Sequence, residues 1–244
     1  MARRFIVEND NINNIDDNNI IISGREVKHI QVLRHNIGDE IIINDKIYSI
    51  VKMGREDITL KYEKEAPLIG IPKTNIVLYI ALLKNDKLDF VIQKAVEIGV
   101  KKIVPFTSSN TIVKLDEKGK IKRKEKLQKI AEEACKQCGR MDMVDVADIV
   151  TWDKMCEKLC ENDAVLFAYE SSHISLKEKL NYIKDKEYTN IGIIIGAEGG
   201  FTPKEAQKLE NIDNVDCISL GSRILRAETA ALNLLSIVLY EMEE

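Results

Sequence analysis

The sequence predicts an α/β protein made of a small β-rich unit followed by a larger unit in which strands and helices alternate. Three observations carry this. Short β-branched runs separated by Asn, Asp and Gly fill the first 65 residues. The stretch 66–72 then holds two of the four prolines, as a linker would. After it, apolar strand-like runs are followed repeatedly by amphipathic helical ones, the pattern of a mostly parallel sheet. The expected domains are residues 1–70 and 73–244.

In chain order, Phe5 to Val7, Ile20 to Ile22, Glu40 to Ile43, Ile47 to Met53 and Asp57 to Tyr62 read as strands. Arg25 to Leu33 reads as a helix, because Val27, Ile30 and Leu33 share one face and Gly38 follows. Beyond the prolines, Asn75 to Leu83 is a buried strand, Leu88 to Ile98 a helix ending at Gly99, and Lys101 to Pro105 a strand. A long helix from about Lys122 to Cys138 precedes the run Met143 to Ile149, and Trp152 to Cys160 is helical. Ala164 to Tyr169 and the wholly apolar Ile191 to Ile195 are strands. Pro203 to Leu209 is a helix with Thr202 as N-cap and Pro203 at its first position. Val215 to Leu220 is a strand, and Glu228 to Glu241 a strongly apolar final helix.

Composition excludes several classes. With 36 basic against 40 acidic residues the net charge is −4, so RNA contact must come from local patches. The longest apolar run, Ile76 to Leu83, has eight residues, far short of a membrane span. The opening MARRFIVEND lacks the apolar stretch of a secretory signal, and five cysteines, an odd number, argue for a reducing compartment. A cytoplasmic location is expected. Cys135-x-x-Cys138 and Cys156-x-x-x-Cys160 imitate a four-thiolate zinc pattern. Both pairs fall on helical segments, where small residues at helical spacing pack inward, so no metal site is expected.

The strongest chemical signal is the run Ile191 to Pro203, where a buried strand feeds a loop holding Gly196, Gly199 and Gly200, and a capped helix follows. Ligands of open α/β sheets bind beyond the carboxyl ends of the strands, and glycines there let backbone amides approach a ligand closely. The run is neither a dinucleotide fingerprint nor a nucleotide-triphosphate loop. A second strand end carries Leu220-Gly221-Ser222-Arg223-Ile224-Leu225-Arg226, with two arginines able to pair with phosphate or an acidic partner. The residues Lys114 to Lys129 hold eight basic and three acidic side chains, which alone reads as a solvated face.

GAEGGFTPKE followed by LGSRILRAETAAL resembles the signature of the RsmE family, the 16S rRNA uridine-N3 methyltransferases of the SPOUT superfamily. The resemblance extends through LLKNDKLDFVIQKAVEIGVKKIVP and EACKQCGR, and into the first unit through RRF at Arg3 to Phe5 and HIQVLRHNIGDEI at His29 to Ile41. It implies a trefoil-knotted methyltransferase domain at the C-terminus and a small PUA-like β-barrel at the N-terminus that holds RNA. It also implies S-adenosylmethionine as cofactor, bound by Gly196, Glu198, Gly199 and Gly200 and by Leu220, Gly221, Ile224, Leu225 and Arg226. A homodimer acting on 16S rRNA or the assembled small subunit is implied as well. Departures from the family pattern are Ala197 for the usual Pro, Ala227 for Thr, Asn110 near a usual Arg, and no proline after Arg140.

In a chain of that kind, Arg3, Arg4 and Arg34, the run Lys122, Arg123 and Lys124, and Arg140 become expected phosphate contacts. Arg226, in preference to Arg223, is the expected catalytic group, stabilising negative charge on the uracil oxygens as N3 loses its proton. Glu198 and Glu228 lie near enough to be a base or to hold backbone or arginine. The competing functions are a SPOUT enzyme acting on another RNA such as tRNA, and a non-catalytic PUA-type RNA-binding protein.

Overall fold

The computed structural model describes residues 2–66, 72–140 and 142–243. Most of the expected proline linker, residues 67–71, lies outside them. The chain divides into two compact units, one within 1–71 together with 136–141, the other within 72–135 together with 142–244.

The first unit contains β1 (Arg3–Phe5), β2 (Ile12–Asn14), β3 (Asn19–Ser23), α1 (Arg25–Val32), β4 (Glu40–Ile43), β5 (Lys46–Met53) and β6 (Asp57–Glu65). They form one mixed sheet in the order β1-β4-β5-β6-β3-β2, with β1 parallel to β4 and the other pairs antiparallel. Register shifts between β5 and β6, at Ile47/Tyr48 and Ile50/Lys52, mark bulges, which bend and twist a sheet. Alternating Ile20 and Ile22, Ile41 and Ile43, and Ile58 and Leu60 close over Val27 and Ile30 of α1 to make the core. The short β2 was not legible, since its three residues are Ile-Asn-Asn and only Ile12 is partly buried.

The second unit begins with β7 (Asn75–Ala81), α2 (Lys87–Ile98), β8 (Lys102–Thr107) and α3 (Glu117–Cys138), which starts five residues before the expected helix. β9 (Asp145–Val146) falls within the apolar run 143–149 and β10 (Val150–Thr151) just after it, and α4 (Trp152–Lys158), β11 (Ala164–Ala168), α5 (Leu176–Asp185) and β12 (Asn190–Ile195) follow. α6 (Pro203–Glu210), β13 (Val215–Ile218) and α7 (Ala227–Glu243) complete it. Helix α5 is absent from the sequence expectation, although Leu176, Leu180 and Ile183 recur at helical spacing after Ser175.

All pairs in the second sheet are parallel, in the order β10-β8-β7-β12-β11-β13, with β9 beside β8. Its central strands β8, β7, β12 and β11 are buried on both faces. Leu78, Ile80, Ile193 and Leu166 face the apolar sides of α2, α3, α5 and α7, while Tyr79, Ile194 and Phe167 face α4 and α6. Two-sided burial explains why β12 is apolar throughout from Ile191 to Ile195 rather than alternating. α7 turns Ala231, Leu234, Leu235 and Val238 into this core and leaves Tyr240 exposed. Among the described residues no helix is long and apolar enough to cross a membrane.

Candidate active site

The glycine loop after β12 is held from below and from the side. Phe201 packs edge-on to Phe167, ring centroids 4.9 Å apart, and lies 5.8 Å from Trp152. A Cβ on Gly196 would come within 2.7 Å of the Phe201 ring, so only glycine lets the strand end approach that aromatic platform. The Gly200 N–H donates to Ala197 O at 2.9 Å, closing a tight turn in which Gly200 has φ +64°.

A polar latch fixes the other side. Asn110 Nδ2–H donates to Gly199 O at 2.9 Å and to Gly200 O at 3.3 Å. Glu205, only 6% exposed, accepts from the Ser109 N–H at 2.9 Å and from the Thr202 N–H at 2.8 Å. Thr202 in turn accepts from the Glu205 N–H, so the expected N-cap is half of a full capping box. Burial pushes the Glu205 carboxyl pKa up, but the hydrogen bonds from Ser109 and Thr202 outweigh it and hold it below its ordinary value of 4.5.

Glu198 points to α2. Its Oε1 accepts from the Lys84 N–H at 3.0 Å and lies 3.6 Å from Lys87 Nζ, which is also 3.8 Å from Glu228 Oε2 at the start of α7. Burial works against ionisation of Glu198, yet the Lys84 N–H and the Lys87 charge leave its pKa below the ordinary range. Lys87 thus ties the glycine loop to α7, and sequence reading missed it. The signal was there only as a lysine opening an amphipathic helix; Asp86 and Asp89 flank it in sequence, but its partners, Glu198 and Glu228, lie more than 100 residues away.

The second loop is open. Gly221 has φ +107°, a Cβ placed on it would meet nothing within 4 Å, and Ile224 is 88% exposed. Leu220 and Gly221 line a cavity of about 560 Å³ together with His173, Ser175, Leu176 and Ile237, whereas the glycines after β12 do not reach it. Arg223 and Arg226 are exposed and form no ion pair among the described residues; Arg226 O accepts from the Ala230 N–H at 2.8 Å as α7 begins. Holding the arginines is therefore not what Glu198 and Glu228 do.

The RNA methyltransferase domain family matches residues 71–239 of this chain. Ribosomal RNA small subunit methyltransferase E of Bacillus subtilis is 35% identical over 235 residues, covering 91% of this chain and 90% of its own length. The chain belongs to the ribosomal RNA small subunit methyltransferase E family. The same enzyme of Mesomycoplasma hyopneumoniae is 32% identical over 92% of this chain and 96% of its own. The crystal structure of the Neisseria gonorrhoeae methyltransferase E bound to S-adenosylmethionine superposes with a TM-score of 0.81 at 25% identity, covering 97% of this chain and 96% of that one.

In this family member the expected RNA contacts divide. Among the described residues Arg3, Arg34, Lys122 and Lys124 carry no ion pair, and Arg3, Arg34 and Lys122 are exposed. Arg123 is committed to Asp89 at 2.8 Å, a bond that Lys126 shares. Arg4 donates to Gly139 O at 3.0 Å, and burial lowers its pKa. Arg140 is 4% exposed, unlike Arg3 and Arg34. The cysteines are corrected in part. Cys135 packs inward as expected, but Cys138 and Cys160 are exposed. Among the described residues no three His, Cys, Asp or Glu side chains gather as metal ligands.

Proposed function

We propose that the chain methylates N3 of a uridine in 16S rRNA with S-adenosylmethionine as donor, as the N. gonorrhoeae relative's bound cofactor and the family's activity suggest. The observation that carries this is the adjacency of β12, β11 and β13, whose carboxyl ends bring the two glycine loops to one edge of a parallel sheet. The residues suit such a ligand. Gly200 and Gly221 present backbone without side chains, and Glu228 Oε2 is a buried oxygen with no hydrogen-bond partner.

The cofactor supplies an activated methyl group when bound. The chain supplies orientation and charge. Gly196, Glu198, Gly199 and Gly200 shape one wall of its pocket, Leu220, Gly221, Ile224 and Leu225 the other. Arg226, exposed at the junction of loop and helix, stabilises the uracil oxygens as N3 loses its proton. Arg3, Arg34, Lys122 and Lys124 hold phosphates.

Insertion of β12 between β7 and β11, both earlier in the chain, supports a knotted domain of the SPOUT type. The bulged six-stranded sheet of the first unit supports a PUA-like barrel. Exposed Phe90 and Ile224, large apolar groups near Lys87 and in the second loop, support a homodimer, which sedimentation would reveal. The compartment is that of the ribosome, the cytoplasm. The deciding experiment is a nucleoside digest of 16S rRNA from cells with and without the gene: 3-methyluridine should be lost with it. The same nucleoside in both strains would overturn the assignment, and its loss from tRNA instead would move the substrate there.

A further inference from the structure

β11 lies between β12 and β13, so its carboxyl end sits between the two loops already described. The chain leaving it folds back along β13. The Tyr169 N–H donates to Ile218 O at 3.1 Å, Ser172 Oγ–H to Cys217 O at 2.9 Å, and the Ser219 N–H to Ile174 O at 3.0 Å. Glu170, in that third loop, is exposed, and its Oε1 stands 3.5 Å from where a Cβ on Gly200 would be.

Among the described residues no hydrogen bond or ion pair engages the Glu170 carboxylate, whereas Glu198 is met by the Lys84 N–H and Lys87. Glu198 and Glu228 share the Lys87 charge and Glu205 is met by the Ser109 and Thr202 N–H groups, whereas Glu170 has neither a cation nor a hydrogen-bond donor among the described residues. A fixed charge of this kind favours whichever ligand carries more of the opposite charge, and it does so without requiring direct contact.

We propose that Glu170 is a specificity-determining residue that favours the methyl donor over the spent cofactor. This rests on S-adenosylmethionine being the cofactor. Losing the methyl group turns a sulfonium into a neutral thioether, so donor and product differ by one positive charge at nearly the same shape. The unpaired carboxylate beside Gly200 separates them on charge and keeps the product from lingering.

The test is calorimetric titration of the full chain, as wild type, Glu170→Gln and Glu170→Asp. The ligands are S-adenosylmethionine, S-adenosylhomocysteine and sinefungin, which carries an ammonium in place of the sulfonium. Glu170→Gln should weaken the two charged ligands about fivefold and the neutral one by less than about twofold, while Glu170→Asp keeps most of the discrimination. Equal loss for all three ligands, or no loss for any, overturns the proposal. Failure of the wild-type chain to bind S-adenosylmethionine would overturn the cofactor assignment itself, so the two failures are distinguishable. Because the Glu170 carboxylate holds no other group in place, both variants should unfold at the wild-type Tm, which separates lost affinity from lost structure.

Discussion

Replacing Lys87 by Met keeps the apolar stem and removes the charge that Glu198 and Glu228 share. At 3.6 and 3.8 Å each attraction would be about 4 kcal/mol at an effective dielectric of about 20, before desolvation is subtracted. Lys87 is one-third exposed, between the surface pairs worth about 0.2–1 kcal/mol and the buried ones whose disruption costs about 3–5. The expected loss is therefore about 1–2 kcal/mol. For a chain of this length that lowers Tm by about 2–8 °C. Most of the loss should come from Glu228, whose Oε2 is buried and has no hydrogen bond to fall back on, whereas Glu198 keeps the Lys84 N–H. Lys87→Met combined with Glu228→Gln should then be more stable than Lys87→Met alone. Thermal unfolding of the four proteins completes the cycle. If Lys87→Met unfolds within about 1 °C of wild type, or if Glu228→Gln brings no recovery in its background, the bridge between loop and helix contributes nothing, and the reasoning fails.

Gly221→Val should stay folded at a cost of about 1–2 kcal/mol from its φ of +107°, and should abolish S-adenosylmethionine binding; normal affinity in calorimetry would move the pocket elsewhere. Glu205 has a depressed pKa, so its contribution to stability is present above about pH 4.5 and lost as pH falls through the lower folded value. Glu205→Gln should therefore lower stability at neutral pH and flatten its decline below about pH 5, as denaturant melts across pH would show. Asn110→Ala removes two hydrogen bonds to the glycine loop and should cost about 1–2 kcal/mol with weaker cofactor binding, measured by unfolding and calorimetry side by side. Arg226→Ala, with RNA and cofactor saturating, should slow single-turnover methylation most at neutral pH and least at alkaline pH, because a nearby cation favours the deprotonated uracil; a uniform loss across pH would make the residue structural.

The larger unit was legible because its central strands are buried on both faces: Ile191 to Ile195 could be little else, and Thr202, Pro203 and Glu205 announce a helix start chemically. Weak elements escaped for equally physical reasons. β9 and β10 span two residues each, too few for a period to show, and α3 begins in the charged run after Asp116, where no apolar face marks the first turn. At the site, the glycines and arginines were visible as residue types at strand ends. Lys84, Lys87, Asn110 and Glu170 were not, because the first three bond to the loop, and Glu170 comes beside Gly200, from distant parts of the chain, which shows only when the sheet order is known.

The lysine bridge also explains why two arginines stay exposed beside acidic residues in a chain of net charge −4. Glu198 and Glu228 are the carboxylates adjacent in sequence to the loops, and either could have quenched Arg223 or Arg226. Lys87 reaches them first, from a helix whose N-terminus is aligned with the same sheet edge, and its point charge serves two acceptors at distances too long for a forked guanidinium pair. The arginines are consequently left without an ion pair among the described residues, and under the proposed function their planar donors face the substrate. A loop stiffened by Asn110, Glu205 and the Phe201 platform, where the usual proline is Ala197, holds that arrangement without freezing the guanidinium groups themselves. Rigid backbone with unspent charge is what an anionic substrate such as a deprotonated uracil needs, since the stabilisation is then present before the charge develops.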